Sequence, residues 1–231
     1  MASRLTCAAR KVAGLLLCTL PWGAAKALID ISPKIMAMDS EHTTVQVSNT
    51  GDTPEFVEIT LFQVANPGVP PEEEQLIPLG IVKDPYLYAT PFKLSLGPRQ
   101  QKPVQLKALN IPEQEKVYRL AVIPQQNARI QGTQDNVMLV NLGFKGLIRQ
   151  LPATQTATWQ HRCTTEGLQL EATGTVRVEF SELKQNGQIA DDFNVYPGTP
   201  RQIAAQQLMG QAEGKSFNLQ CGREKQITKG R

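Results

Sequence analysis

The chain has 231 residues, of which 19% are charged and 6% aromatic, with a formal net charge of +3. This is the composition of an ordinary globular protein and excludes a disordered chain. No apolar run approaches the roughly 20 residues that a membrane-spanning helix needs, so no membrane insertion is expected.

The first 27 residues read as an export signal. Arg4, Arg10 and Lys11 form a positive region, Val12 to Leu20 is a short apolar run, and Ala25-Lys26-Ala27 is a small-x-small cleavage site. The expected cut follows Ala27. Arg4, Arg10, Lys11 and Lys26 leave with the signal and no acidic residue does. Of 24 basic residues, 20 then stand against 21 acidic ones. A mature charge near −1 gives a nucleic-acid partner no electrostatic support.

From residue 28 onward the pattern is β. Short apolar or alternating runs occupy Leu28–Ile31, Val45–Val47, Phe56–Val64, Val104–Leu109, Val117–Ile123 and Val137–Ile148. Asn49-Thr50-Gly51-Asp52, Asn66-Pro67-Gly68 and Leu96-Gly97-Pro98 break them. Glu72-Glu73-Glu74 reads as a solvated loop. A boundary near Leu151 to Thr156 divides the chain into an N-terminal domain, 28–152, and a C-terminal one, 153–231. Expected strands of the second are Gly167–Ala172, Thr175–Phe180, Phe193–Tyr196 and Ser216–Gln220, with a hairpin turn at Asn186-Gly187. Arg201–Met209 reads either as a short helix or as a strand and loop. Many short strands with regular turn signals make the chain all-β, of the sandwich type.

Catalytic motifs are absent: there is no GxSxG, HExxH or P-loop pattern. No enzyme activity and no cofactor are expected. Beyond the signal, only Cys163 and Cys221 remain as cysteines. With His161 they offer three ligands where tetrahedral zinc wants four. In an exported chain the pair is expected to form a disulfide, and no metal is expected. Closing so long a loop contributes about 4 kcal/mol.

The order and spacing of several segments resemble the periplasmic chaperones of the chaperone–usher pathway. They are Ile31-Ser32-Pro33-Lys34, Val47-Ser48-Asn49, Thr90-Pro91 with Leu94 to Pro98, Glu115-Lys116-Val117-Tyr118-Arg119-Leu120, and the strand Asn136–Ile148. Asn66-Pro67-Gly68 and Gly146 to Pro152 are most similar to the alpha-class branch, which serves class 5 fimbriae. Gly174 to Val178 and Val195-Tyr196-Pro197-Gly198 carry a looser likeness in the second domain. The resemblance implies two immunoglobulin-like β-sandwich domains in an L or boomerang arrangement. It implies a periplasmic chaperone that binds pilus subunits by lending them a strand, then delivers them to an outer-membrane usher for fimbria assembly.

In Asn136–Ile148, Met138, Val140, Leu142 and Phe144 alternate and so share one face of an extended strand. The first three match the family's donor positions, and Phe144 extends the series by parity. Burying three or four such side chains is worth roughly 5–12 kcal/mol gross, and association cost offsets a comparable amount. The resemblance also implies two cations that anchor the subunit's C-terminal carboxylate. Lys34 takes the first place. The ungapped second place falls on Leu147, so Lys145 is the candidate, with Arg149 as the alternative on the same face. Many members join their domains by an acid–Arg pair. The corresponding positions are Val122 and Leu151, so hydrophobic domain packing is expected. An exposed donor strand would also let the free form self-associate. The competing reading is an exported structural or adhesive pilus subunit.

Overall fold

The computed structural model describes residues 29–125 and 144–222. The expected signal segment and Met138, Val140 and Leu142 lie outside these described residues.

Ten strands build the first half: β1 Ile29–Ser32, β2 Ile35–Met38, β3 His42–Asn49, β4 Glu55–Val64, β5 Leu76–Pro78, β6 Leu87–Thr90, β7 Lys93–Leu96, β8 Gln101–Ala108, β9 Lys116–Pro124 and β10 Phe144–Gln150. They form two facing sheets. One runs β1-β3-β8-β6; the other runs β2-β10-β9-β4-β5, with β7 paired to β4. The long strands turn alternate apolar residues inward. Val45 and Val47 of β3, Val104 and Leu106 of β8, Ile59 of β4, Leu120 and Val122 of β9 and Ile148 of β10 make one core. Val122 therefore belongs to the interior of the first sandwich and not to the domain junction.

The chain switches sheets between β1 and β2. Ile29 and Ile31 are buried on β1, whereas Met36 and Met38 are buried on β2. The parity of inward residues changes at Pro33-Lys34 because the chain crosses from one sheet to the other there. β1 then pairs antiparallel with β3, and β2 pairs parallel with β10.

Eight further strands build the second sandwich: β11 Trp159–Thr164, β12 Gly167–Ala172, β13 Val178–Gln185, β14 Gln188–Ile189, β15 Phe193–Val195, β16 Arg201–Ile203, β17 Gln207–Ala212 and β18 Lys215–Gln220. Their sheets are β11-β12-β16 and β14-β13-β17-β18, with β15 paired to β13. Phe180 is fully buried at the centre, with Trp159, Phe193 and Phe217 around it at centroid distances of 5.2, 5.4 and 5.6 Å. Edge and offset ring contacts of this kind add to the plain gain from burial.

Asn186-Gly187 makes the expected tight turn, with Gln185 facing Gln188 across it. Arg201–Met209 contains no helix; it supplies β16 and the start of β17. The strand expected over Thr175–Phe180 begins instead at Val178. Thr175 and Val176 spend their backbone N–H groups on the Thr156 carbonyl, so this stretch zips onto the connecting segment rather than joining a sheet.

Cys163 of β11 and Cys221, just past β18, form a disulfide across a sequence separation of 58. It joins the two sheets of the second sandwich. Cys163→Ser should lower the stability of that sandwich by about 4 kcal/mol. Chemical denaturation checks this, together with thiol labelling: Cys221 reacts in the variant, and no described thiol reacts in the unreduced parent.

Candidate strand-edge and cleft site

β10 has two differently furnished edges. On one side it pairs with β9 along its whole length, from Phe144 opposite Val122 to Gln150 opposite Lys116. On the other side β2 covers only Leu147 to Gln150. The Leu147 N–H donates to the Lys34 carbonyl at 2.9 Å, and there the pairing starts. Among the described residues, no strand pairs with Phe144–Gly146 on that side. An uncovered edge presents backbone donors and acceptors to any strand that can reach it.

The two faces of β10 also differ. Gly146, Ile148 and Gln150 are buried toward the core of their own sandwich. A Cβ on Gly146 would come within 2.7 Å of Ile31 Cδ1. Gln150 accepts a hydrogen bond from the Tyr118 hydroxyl at 3.1 Å and donates to the Asn110 carbonyl at 2.8 Å. Burial pushes the Tyr118 phenol well above its ordinary pKa. Lys145, Leu147 and Arg149 occupy the outward face, as their spacing requires.

The sequence-derived cations are in different states. Lys34 sits where the uncovered edge ends; its ammonium is exposed and lies 3.7 Å from Asp30. Lys145 is exposed on the outward face. Arg149 is committed elsewhere. Its guanidinium forks onto Glu115 at 2.5 and 3.0 Å, and the Glu115 side chain is fully buried. Burial works against the Arg149 charge, yet the hydrogen bonds and charge of Glu115 hold its pKa above the ordinary value.

Glu115 also fastens the second sandwich. Its carboxylate accepts the Arg177 N–H at 2.8 Å, and its own N–H donates to the Thr175 carbonyl at 2.8 Å. This corrects the expectation of purely hydrophobic domain packing. Apolar packing is present as well, since Val64, Val117 and Tyr196 form a small buried cluster with Leu147 and Leu76 beside it. A polar fastening coexists with it because the paired charges come from Glu115 and Arg149, not from positions 122 and 151.

A third fastening comes from the β4–β5 loop. Arg201 donates to the Gly68 carbonyl at 2.5 Å while its guanidinium lies 4.2 Å from the centre of the Phe193 ring. Burial lowers the Arg201 pKa. Gly68 has φ +98°, and a Cβ there would sit 2.9 Å from the Asn194 carbonyl oxygen. Only glycine allows this close approach at that backbone angle.

Between the sandwiches lies a cavity of about 370 Å³, lined by Gly68, Glu74, Arg119, Leu147, Tyr196 and Arg201 among others. Glu74 was expected in a solvated loop. Instead its side chain is 6% exposed and pairs with Arg119 through two hydrogen bonds of 2.6 and 2.8 Å. Sequence reasoning missed this pair; the partners are 45 residues apart, and no local spacing links them.

No protein-family model matches the chain, and neither does any curated protein. Solved structures do. A chain of the chaperone–tip adhesin complex of CFA/I fimbriae matches with TM-score 0.64 and 19% identity, covering 85% of this chain and 99% of that one. The class 5 fimbriae chaperone CfaA matches with TM-score 0.63 and 19% identity, covering 84% and 99%. A chain of the CsuC–CsuE chaperone–tip adhesion subunit pre-assembly complex from archaic Csu pili of Acinetobacter baumannii matches with TM-score 0.55 and 16% identity, covering 85% and 100%. The chain therefore has the two-sandwich fold of fimbrial chaperones, and the class 5 examples are among its similar structures.

Removing Glu115 would strand Arg149 in a largely buried place. Glu115→Ala should cost about 3–5 kcal/mol, the usual penalty for breaking a buried ion pair from one side. Denaturant unfolding measures the loss. Small-angle scattering should show a broader spread of inter-domain distances in the same variant.

Proposed function

We propose that the chain is a periplasmic chaperone of the chaperone–usher pathway, exported by cleavage after Ala27. It holds pilus subunits by strand donation and delivers them to an outer-membrane usher. The observation that carries this reading is the edge of β10 at Phe144–Gly146, which no strand covers among the described residues, set in the fold of fimbrial chaperones. Two of the similar structures are chaperone complexes with tip adhesin subunits, which supports a subunit as the partner.

β9 extends only two residues, Ile123 and Pro124, beyond the Val122–Phe144 pair. By sequence spacing Met138, Val140 and Leu142 share the parity of Ile148, and this face would enter a partner's groove. Met138, Val140, Leu142 and Phe144 are the proposed donor residues. Backbone pairing supplies affinity and the alternate side chains supply fit.

The end of the edge gives the anchor its logic. A partner strand laid parallel to β10 would lie in line with β2 and would have to stop where β2 begins, at Lys34. Its terminal carboxylate then arrives beside a cation. Lys34 is the proposed first anchor and Lys145 the second, since Arg149 is occupied by buried Glu115. The same edge would let the free form self-associate.

Periplasmic co-expression with each pilin-like neighbour, followed by size exclusion, tests the reading. A one-to-one complex is expected. Val140→Asp should abolish it, because a charge would enter an apolar groove. Lys34→Ala should cut subunit recovery severely with the fold intact. Chains that emerge alone with every candidate, or that polymerise into fibres, would overturn the proposal and favour the pilus-subunit reading. Unfolding of the free Val140→Asp protein would assign that face to the protein's own core.

A further inference from the structure

The second sandwich has a seam that side chains, not strand pairing, hold shut. β11 pairs with β12 and β18 pairs with β17; among the described residues, neither has a strand on its other side. Two rungs cross between these edges. The Trp159 and Phe217 rings meet at 5.4 Å, and Cys163 is bonded to Cys221. The rungs are equally spaced on the two sides, so the edges run side by side in one direction, and the bonded residues share the face of the ring pair.

The two sulfurs of this staple have unlike surroundings. Cys163 is exposed on the edge strand β11. Cys221 is 5% exposed and packs into the core of the second sandwich. Its Sγ lies 3.9 Å from the Gly167 carbonyl oxygen. That carbonyl is fixed in place: the Thr164 hydroxyl donates to it at 3.2 Å, and a Cβ on Gly167 would run into the Ile203 carbonyl. Thiol–disulfide exchange requires a thiolate to reach one of the two sulfurs. Solvent reaches Cys163, whereas the core shields Cys221. Once released, Cys221 needs no new space, because its thiol can donate to the Gly167 carbonyl from where it already lies.

We infer that Cys163 is a thiol-exchange site, the sulfur at which a dithiol–disulfide oxidoreductase makes and breaks the staple, with Cys221 as the resolving sulfur. In closing, the Cys163 thiolate attacks the partner's disulfide, forms a mixed disulfide and releases one partner thiolate. The Cys221 thiolate then attacks the Cys163 sulfur and releases the other. The partner leaves as a dithiol, with the two electrons and two protons that the cysteines gave up. In opening, a partner thiolate attacks Cys163, and Cys221 leaves and takes a proton. The partner's second thiolate then attacks the partner sulfur of the mixed disulfide and frees Cys163. Of the two rungs, Trp159–Phe217 then remains.

The test uses the folded, oxidised chain and reduced glutathione. Early acid quenching and peptide mass mapping locate the mixed disulfide. Glutathione on Cys163, with Cys221 as free thiol, should exceed the reverse product by about tenfold or more, following the difference in access. The rate should rise in proportion to glutathione concentration. Equal labelling of the two sulfurs, preference for Cys221, no reaction, or a rate that reaches a plateau because attack waits for unfolding would each overturn the inference. Single-thiol variants give a second measure with glutathione disulfide as the probe. Cys163 in Cys221→Ser should react about tenfold faster than Cys221 in Cys163→Ser. Equal rates in the folded variants would also overturn the assignment. If either variant fails to fold, mapping in the parent decides alone.

Discussion

The arrangement of the first sandwich depends on one constraint: β1 and β2 are a single run of chain that must serve two sheets. The crossing at Pro33-Lys34 delays the start of β2, so β2 reaches only the C-terminal half of β10. Among the described residues, no strand pairs with the N-terminal half on that side. Had the chain stayed in one sheet, β10 would lack its parallel neighbour altogether. Had it crossed earlier, β2 could have covered more of β10. The position of the crossing therefore sets how much edge is available and puts Lys34 at its end.

An exposed edge is a hazard unless something limits what can pair with it. Here the limit comes from the second sandwich, which is fastened beside the outward face of β10. Three contacts hold it: Glu115 with Arg149 and the Arg177 N–H, Arg201 with the Gly68 carbonyl, and the Val64–Val117–Tyr196 cluster. Buried charge pairs add little net stability but are geometrically exacting. A junction made of one such pair, one backbone contact and a small apolar cluster holds two domains at a defined relation without a large shared core. In the proposed function that relation shapes the cleft into which a subunit's last strand would run.

Much of the scaffold was legible in the sequence because it rests on local rules. Alternation located β4, β8, β9 and β12; a hairpin dipeptide located the turn at Asn186-Gly187; Cys163 and Cys221 paired as expected. The misreadings share a cause. Thr175 and Val176 look like strand residues by propensity, but tertiary hydrogen bonds to Thr156 claim them. Arg201–Met209, Ala- and Gln-rich, could be read either as helix or as strand and loop, and pairing with β12 and β13 decides for strands. Glu74–Arg119 and Glu115–Arg149 join residues 45 and 34 positions apart. Nothing in the spacing of a sequence marks such a pair, since it exists only after the sheets have brought the partners together. Lys34 was named through family resemblance; that its carbonyl accepts the Leu147 N–H where β2 begins to pair with β10 is visible only in the sheet topology.

The placement of charge in the cleft bears on how a chaperone of the proposed kind could let go of what it holds. A bare buried guanidinium would be costly in the free protein and would grip an arriving carboxylate hard, which would slow release. Arg119 pairs with Glu74, so the free state is satisfied electrostatically. In the proposed function the net driving force would come from backbone pairing and apolar insertion along β10. Strength would reside in the extended edge and selectivity at its end, and this division suits binding that has to be firm during transit and reversible on delivery.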